Sequence, residues 1–558
     1  MVRATFSGFN TALSALQANQ KRLDITGQNL SNMNTAGYTR QQLEASSLNY
    51  TNPVSHYSNG NETAVGFGVS MDRVSQIRDP YLDIQYRSQS ADCSYTNRLQ
   101  TALNSLSKVL DETTISGIRQ AFDDVQSTLT SMQDPAKVSD PIYESELRTK
   151  MQSVCNLFNQ ASRQITQAEQ NEFQRLTGEG SSEQGDVQKI NDILRQIGDL
   201  NVQIKRNQVA GHPSLELQDE RNLLLDELSG YIPVETRYYK DDAHSGNNAY
   251  DYDANGAVIG KKDWPDDLEV SMNYIDAQGK SQKLILVNGS DLGADGLTKN
   301  YGQLSMLKGD HQTAASVSDP TNISIKFEKA PSYQGNGQAA ADVYAELKGI
   351  HFEGGSLQAS LDMLQKTGTG NVINGSTAVD DVRGYQYYSE KLDHLALTFA
   401  ESMNNINNGN KNPKDQNLLS NSTDDSTTGI TAGNIGISKG WTSGTVHIST
   451  NGTNRTDTIL DMIAAMKDTK KLNGKTFADY MNNLSTQLAS DSSSNQTALK
   501  TGTTVLNSIQ DSRDSLSGVS LDEEATNMMA YVSAYNAASR LMTALDEVLN
   551  TLINNTGA

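Results

Sequence analysis

The stretch that decides the fold lies at the end of the chain, where residues 518–553 read GVSLDEEATNMMAYVSAYNAASRLMTALDEVLNTLI. Its apolar residues recur every seventh position in two series, and the second series is offset from the first by three residues. This is the a/d pattern of a coiled-coil seam, and it predicts one long amphipathic helix. The two series are Leu521, Met528, Tyr535, Met542 and Leu549, and Tyr531, Ala538, Leu545 and Leu552.

The start of the chain carries a similar stripe, in which Gln20 and Gly27 stand at positions where the pattern calls for an apolar side chain. Chain ends are usually frayed and polar, so apolar stripes at both ends need partners. We therefore expect the two ends to pair with each other or with copies of themselves, although an ordinary core face has the same pattern. The apolar residues of this first stripe are Phe6, Phe9, Leu13, Leu16, Leu23 and Leu30.

Length and charge limit the number of domains and the classes of partner that this chain can have. A chain of 558 residues is too long for one core, so we expect several domains. The net charge of −21 argues against nucleic acid and anionic membranes, because few cations remain to neutralise phosphates. The sequence lacks a stretch of about 20 apolar residues, which argues against membrane insertion. Polar residues break residues 1–20 into apolar runs too short for a signal peptide, so we expect no cleavable signal peptide.

The pattern along the chain predicts an α+β multidomain fold, in which both termini form a long helical, coiled-coil stem that carries inserted, mainly-β outer domains. Pro follows Asp at 79–80 and 140–141, which indicates helix starts. Residues 63–77 read as a short hairpin, and short strand-like segments dominate from Tyr231. We assign 1–50 with 517–558 to a terminal coiled-coil assembly domain, 51–232 with 350–408 and 476–516 to a helical stem domain, 233–349 to a β-rich outer domain, and 409–475 to a smaller variable insertion.

Residues that could carry chemistry are sparse. The seven histidines include no pair at metal-binding spacing, and the chain has no GxSxG motif. Cys93 and Cys155 read as isolated thiols, and their pairing in a disulfide stays open. We therefore expect no enzyme activity, no catalytic residue and no cofactor.

One weak metal candidate remains. Asp251, Asp253 and Asn255, followed by Gly256, fit the first half of a calcium-binding loop. Lys262 stands where that loop needs a bidentate Glu, and a β-turn explains the same residues. A metal site is therefore the less favoured interpretation.

Motifs at both ends of the chain resemble those of a known family. NLSNMNTAGYTRQ (29–41) is similar to the NxxNxxTxGY signature of the flagellar rod, hook and hook-associated proteins. SGVSLDEEATNMMAYVSAYNAASRLMTALDEVLNTLIN (517–554) resembles their C-terminal signature. Its Gly-Val-x-Leu-Asp-Glu-Glu start is typical of members at the hook–filament junction, whereas hook and rod proteins tend towards Leu-Ser-x-Glu. DPYLDIQYRSQSA (79–91) and LQDERNLLLDELSGYIPV (217–234) also look like those junction members.

The resemblance implies a structural adaptor that polymerises as a ring of about eleven copies, with the terminal helices around the export channel. It implies hook protein and the second hook–filament junction protein as partners, and an export chaperone at the C-terminal helix. It also implies an extracellular location on the bacterial flagellum, reached without a cleavable signal peptide. In this family Asn29, Asn32, Gly37 and Tyr38 would form the corner where the first helix leaves the tube wall.

Three alternatives remain open at this stage. Within the family, the nearest rival is a hook-type axial protein. A secreted adhesin or effector with coiled-coil ends would be a folded monomer or small oligomer in solution and would not dock onto hooks. An enzyme embedded in the variable region would need a cluster of acids, bases or metal ligands within 235–349.

Overall fold

A computed structural model describes most of the chain. The described residues are 2–48, 68–110, 112–240, 250–252, 258–261, 266–275, 280–289, 299–308, 313–328, 333–334, 338–339, 344–347, 351–366, 368, 372–373, 376–377, 382–409, 416–450 and 453–555.

Long helices dominate the fold. They are α1 (Val2–Asn32), α2 (Pro80–Val109), α3 (Glu112–Ser131), α4 (Pro135–Val138), α5 (Pro141–Thr177), α6 (Asp186–Val209), α7 (Leu215–Tyr231), α8 (Gly355–Gln365), α9 (Tyr385–Asn407), α10 (Lys439–Ser443), α11 (Asp457–Lys467), α12 (Phe477–Ser517) and α13 (Leu521–Asn555). Asp79 and Asp140 cap α2 and α5, and each is followed by Pro at the first helical position. Both starts agree with the sequence prediction.

The strands are short and pair antiparallel. They are β1 (Gln41–Ser47), β2 (Val69–Gln76), β3 (Glu235–Lys240), β4 (Tyr250–Tyr252), β5 (Val258–Lys261), β6 (Asp266–Ile275), β7 (Ser281–Asn288), β8 (Gln303–Lys308), β9 (Ile323–Glu328), β10 (Tyr333–Gln334), β11 (Gln338–Ala339), β12 (Tyr344–Leu347), β13 (His351–Phe352), β14 (Val372–Ile373), β15 (Ser376–Thr377), β16 (Leu419–Asn421) and β17 (Ile435–Ile437). The larger sheets have the orders β13-β6-β3, with β7 also on β6, and β12-β9-β8. The chain is therefore an α+β multidomain protein.

Two nested antiparallel helix pairs bring the chain ends together. The inner pair is α2 with α12, where Gln100 Nε2 donates to Ser492 Oγ at 2.8 Å and Cys93 lies 3.5 Å from Thr503. The outer pair is α1 with α13. Since each pair joins an early helix to a late one, the intervening chain hangs from these two pairs.

The core of the stem centres on packed aromatic rings. Phe122 lies with its ring centroid 5.9 Å from that of Phe158, 5.2 Å from Phe399 and 5.6 Å from Phe477. These residues come from α3, α5, α9 and the first position of α12. Four helices that are remote in sequence are thus fixed against one another by apolar burial.

The β-rich segment packs on the stem rather than standing away from it. Asn191 of α6 bonds the backbone N–H and C=O of Leu304, and Asn201 donates to the carbonyls of Leu268 and Gly289. Leu268 and Leu304 belong to the same buried cluster as the stem core. The expected outer domain therefore shares its inner face with α6.

The described part of the segment 409–475 packs on the stem. Trp441 is fully buried, its indole N–H donates to Glu144 of α5, and its carbonyl accepts from Arg148. A strand forms at Ile435–Ile437 as expected, but it pairs with Leu419–Asn421, and 445–448 forms no strand. Burial of apolar residues against α5 and α9 explains why this segment folds onto the stem.

The expected hairpin within 63–77 is wrong in its pairing. Val69–Gln76 forms a strand, but its partner is Gln41–Ser47, with a register shift between Glu44 and Ala45. The segment 49–67 lies outside the described residues. Sequence alternation within 63–77 could not reveal a partner more than twenty residues away.

Candidate functional site: the terminal helix pair and its corner

The terminal helices run antiparallel along their length. A Cβ added at Gly8 would lie 3.3 Å from Leu545 Cδ1, and the guanidinium of Arg22 lies 5.6 Å from the Tyr531 ring centroid. Arg40, beyond the end of α1, reaches Glu523 at the start of α13. The residue numbers of the partners on α13 decrease as those on α1 increase, so the two helices run in opposite directions.

The predicted seam of α13 faces α1. Ala538 is buried, and the neighbouring seam residues are half-buried between the helices, while Tyr535 is 37% exposed. Leu521 and Leu552, at the two ends of the predicted series, are exposed. The half-buried residues are Met528, Tyr531, Met542, Leu545 and Leu549.

On α1 the buried face is offset from the predicted stripe. Apart from Ile25, the interior positions carry small or polar residues, and Leu13 is 46% exposed. Phe9, Leu16, Leu23 and Leu30 are half-buried, and the side chain of Phe6 lies outside the described residues. Because α1 packs on both α13 and the β1–β2 hairpin, the helices approach through small side chains and the leucines flank the contact. The interior residues are Ala12, Ala18, Asn19, Ile25, Thr26 and Asn29.

A hydrogen-bonded corner ends α1. The amide of Asn29 receives the N–H of Gln41 at 3.0 Å, donates to the Gln41 carbonyl at 3.0 Å and accepts from Tyr38 Oη at 2.9 Å. Gly37 has φ of +77°, a left-handed conformation that favours glycine. Asn32 is partly exposed to solvent, and its side-chain amide donates a hydrogen bond to the Gln28 carbonyl of its own helix. The structure thus brings Asn29, Gly37 and Tyr38 together at the corner, while Asn32 caps the last turn beside them.

Acidic side chains fix the corner to the stem. Thr39 donates its N–H and hydroxyl to Asp219 of α7, at 3.0 and 2.6 Å. Burial raises the pKa of Asp219 to about 6, although the Thr39 bonds and Arg78 oppose this. Burial, reinforced by Glu216, Asp219 and Glu524, raises the pKa of the Tyr38 phenol. Tyr38 therefore stays a neutral hydrogen-bond donor to Asn29.

Arg40 joins the corner to α13. Its Nε lies 2.8 Å from Glu524 and its Nη1 2.8 Å from Glu523, while its backbone N–H donates to the Ser517 carbonyl. The Glu524 side chain is 3% exposed, whereas that of Glu523 is 63% exposed. The buried pair is the stronger constraint on the direction in which α13 leaves α12.

A second charge network anchors the end of α12. Arg513 contacts Asp83 at 3.1 Å and Asp226 at 2.8 Å and lies 4.3 Å from the Tyr86 ring centroid. Asp226 also receives Arg87 at 2.8 Å. Sequence reasoning missed these residues, because no spacing signal relates side chains on three helices that are far apart in the chain.

The other sequence candidates gain little from the structure. Asp251 lies in β4, whereas Asp253 and Asn255 lie outside the described residues. The described residues hold no cluster of three or more His, Cys, Asp or Glu side chains that could bind a metal ion. Cys93 and Cys155 are both free. Among the helices that the structure describes, none is long and apolar enough to cross a membrane.

Comparisons with known proteins agree on one family. The family model described as the flagellar hook-associated protein FlgK helical domain matches residues 103–416. The flagella basal body rod protein model matches residues 9–39, and the flagellar basal body rod FlgEFG protein C-terminal model matches residues 512–555.

Relatives match along the whole chain. Flagellar hook-associated protein 1 of Bacillus subtilis is 29% identical over 99% of this chain and 99% of its own. The protein of the same name from Escherichia coli is 24% identical over 98% of this chain and 99% of its own. The solved structure of the flagellar hook junction protein FlgK from Burkholderia pseudomallei is 18% identical, with a TM-score of 0.36, over 61% of this chain and 45% of its own.

The helical-domain model covers more than half of the 558 residues. The rod-protein models match α1 and α13, the two helices of the outer pair. The chain therefore belongs to the FlgK family of flagellar hook-associated proteins, and it is a structural component of the hook–filament junction.

Proposed function

We propose that this chain polymerises as a ring of about eleven copies between hook and filament, and that the outer faces of its terminal helix pair form the contacts. The observation that carries the proposal is the apolar surface left over once α1 and α13 have paired. Met529, Leu541, Val548 and Ile553 are 66%, 48%, 54% and 66% exposed. An exposed apolar surface of this kind is typical of an interaction site.

The leftover surface is continuous along α13. Ala530, Ala534, Ala537, Leu541, Ala544 and Val548 keep a 4-3 spacing and are all exposed. This second stripe lies beside the seam that faces α1, so a further helix can pack on it without disturbing the pair. In this proposal hook protein and the second hook–filament junction protein contact the ring from its two sides.

The same apolar surface needs protection before assembly. An export chaperone on α13 would cover it, and the chain would reach the outside of the cell without a cleavable signal peptide. An isolated helix is marginal in water, so we also propose that residues 1–50 and 517–558 become ordered only on assembly. The few contacts between the outer pair and the stem, concentrated at the corner, favour this order of events.

Hydrogen exchange tests the proposal on the unmodified chain, first alone and then after addition to isolated hooks. We expect amides of 2–48 and 517–555 to exchange fast in solution and slowly on hooks. Equally fast exchange in both states contradicts a role of these helices in assembly. Protection in both states leaves assembly by the outer faces in place but contradicts ordering on assembly.

A variant separates the outer face from the seam. Leu541→Glu with Val548→Glu changes exposed positions, so the monomer should keep its stability and lose hook binding in a sedimentation assay. Ile142→Glu is the control, because Ile142 is 73% exposed on α5. Hook binding by the double variant at the level of the control would exclude the outer face of α13 as a contact.

A further inference from the structure

The corner end of the stem carries two unlike surfaces on opposite sides of α2. Leu82 borders a hollow against α12, and Ile84 borders a groove against β2 and α7. Positions i and i+2 of an α-helix are about 200° apart around its axis, so Leu82 and Ile84 lie on opposite sides of α2. Tyr86, which stacks with Arg513 of α12, confirms that the Leu82 side faces α12.

The first surface, the Ile84 groove, encloses about 400 Å³. Ile84 is 54% exposed and Tyr238 48% exposed at its rim. Arg73, which is paired with Glu44, has a 68% exposed side chain there. Within the described residues the buried Oε1 of Gln208, which also lines the groove, has no hydrogen-bond partner. The groove thus offers apolar contact and the exposed cationic group of Arg73, while Arg78 and Arg87 in its wall are paired with Asp83 and Asp226.

The second surface, the Leu516 ridge, is the outward face of α12 beside a hollow of about 630 Å³. Leu516 is 41% exposed and Val505 43% exposed. Asp511 is exposed between them, and Ser508 and Ser515 add exposed hydroxyls. The ridge thus presents apolar side chains, a carboxylate and hydroxyl donors.

The two surfaces complement each other in charge and polarity. Asp511 suits Arg73 in charge, and Leu516 suits the apolar rim formed by Ile84 and Tyr238. On one molecule they cannot meet, because α2 lies between them. A contact between unlike patches on opposite sides of a subunit repeats from copy to copy and forms a ring where its rotation closes.

We propose that the Ile84 groove of one copy receives the Leu516 ridge of a second copy, and that this head-to-tail contact repeats around the ring. This inference rests on the proposed function, since the groove–ridge contact is a second contact next to the corner from which the terminal pair leaves the stem. Each copy then uses its terminal pair and its stem together, so the angle set by Arg40 and Arg513 decides whether both contacts form at once.

Cross-linking between two variants that each carry one introduced cysteine tests the contact. A chain with Ile84→Cys is mixed with a chain with Leu516→Cys, added to isolated hooks and oxidised mildly. We expect a cross-linked dimer only in the mixture and only on hooks. The control replaces Ile84→Cys by Ile142→Cys, a more exposed site on α5, and the unmodified chain reports the background from its free Cys93.

Rings that form on hooks, seen by electron microscopy, but give no dimer above the Ile142 control would overturn the contact while leaving the proposed function intact. If the cysteine variants fail to join hooks, hydrogen exchange on the unmodified chain decides. Protection of 80–88 and 505–516 on hooks supports the contact. Protection of the terminal helices alone overturns it, and protection of neither set overturns the proposed function as well.

Discussion

Arg40 holds three parts of the chain with one side chain and one backbone group. Its guanidinium reaches Glu523 and Glu524, and its N–H reaches the last residue of α12. The sequence motif 29–41 contains this residue, but the motif alone does not indicate its acidic partners. They lie almost five hundred positions away, and only the antiparallel pairing of the chain ends brings them into contact.

Arg40→Ala should loosen the start of α13. The change leaves the buried Glu524 carboxylate without its guanidinium, which costs roughly 3 kcal/mol for a buried pair. On hooks, where we propose that these helices are ordered, we expect faster amide exchange and faster proteolysis across 517–525, with little change in the unfolding of the stem. The control is Arg73→Ala, which breaks an exposed pair with Glu44 and should cost less than about 1 kcal/mol. Equal behaviour of the two variants would contradict a role of Arg40 at the corner.

Glu169 gives the stem a pH dependence of definite sign. Burial alone raises the pKa of this α5 carboxyl to about 7. The folded state therefore binds more protons than the unfolded state between the ordinary pKa and about 7, so stability falls as pH rises through that range. Glu169→Gln mimics the protonated form and should raise the free energy of unfolding at pH 8 by on the order of 2–3 kcal/mol.

Urea unfolding at several pH values measures this effect. The advantage of Glu169→Gln should disappear at pH 4, where the wild-type carboxyl is protonated in both states. Glu172→Gln is the matched control, because Glu172 is buried on the same helix but paired with Arg98 and Arg175. That variant should destabilise the protein at pH 8, since it leaves the Arg98 guanidinium without its carboxylate and Arg175 with Asp186 alone. A Glu169→Gln variant no more stable than wild type at pH 8 would contradict the raised pKa.

At the scale of elements, periodicity predicted the helices better than their faces. The heptad of α13 predicted the seam that meets α1, because a long helix with a single partner buries a single stripe. The buried face of α1 is offset from the predicted stripe. That helix packs on α13 and also on a hairpin whose pairing the sequence could not reveal. Asn29 and Tyr38 were expected at the corner, whereas Asp219 and Arg513 were not. Polar contacts across hundreds of residues leave no local pattern.

Two glycines of α1 should respond in opposite ways. Gly27 has no described atom within 4 Å of an added Cβ, so Gly27→Ala should stabilise the helix by about 1 kcal/mol. Gly8 lies against Leu545, so Gly8→Leu should push the helices apart at their outer end. Amide exchange of 20–32 and of 540–553 in the chain bound to hooks measures both effects. A stabilising Gly8→Leu would show that the two helices are not in contact there.

On the scale of the whole molecule, the terminal pair and the stem are joined by a narrow connection. The outer pair meets the stem mainly through Thr39 with Asp219, the N–H of Arg40 with the carbonyl of Ser517 in α12, and the continuous chain at Gly518. The large apolar cluster, by contrast, is drawn almost entirely from 99–488. The stability of the stem should therefore depend little on the terminal helices.

A fragment of residues 77–518 tests this division. It keeps α2, α12, Arg513 and the aromatic core and loses only the outer pair, the hairpin and the corner. We expect it to unfold cooperatively within about 5 °C of the full chain, because few apolar contacts are removed. It should remain monomeric and fail to bind hooks, whereas the full chain binds. A fragment that unfolds at a much lower temperature would mean that the outer pair stabilises the stem. A fragment that still binds hooks would mean that the stem surfaces alone assemble, and the terminal helices would then be dispensable for docking.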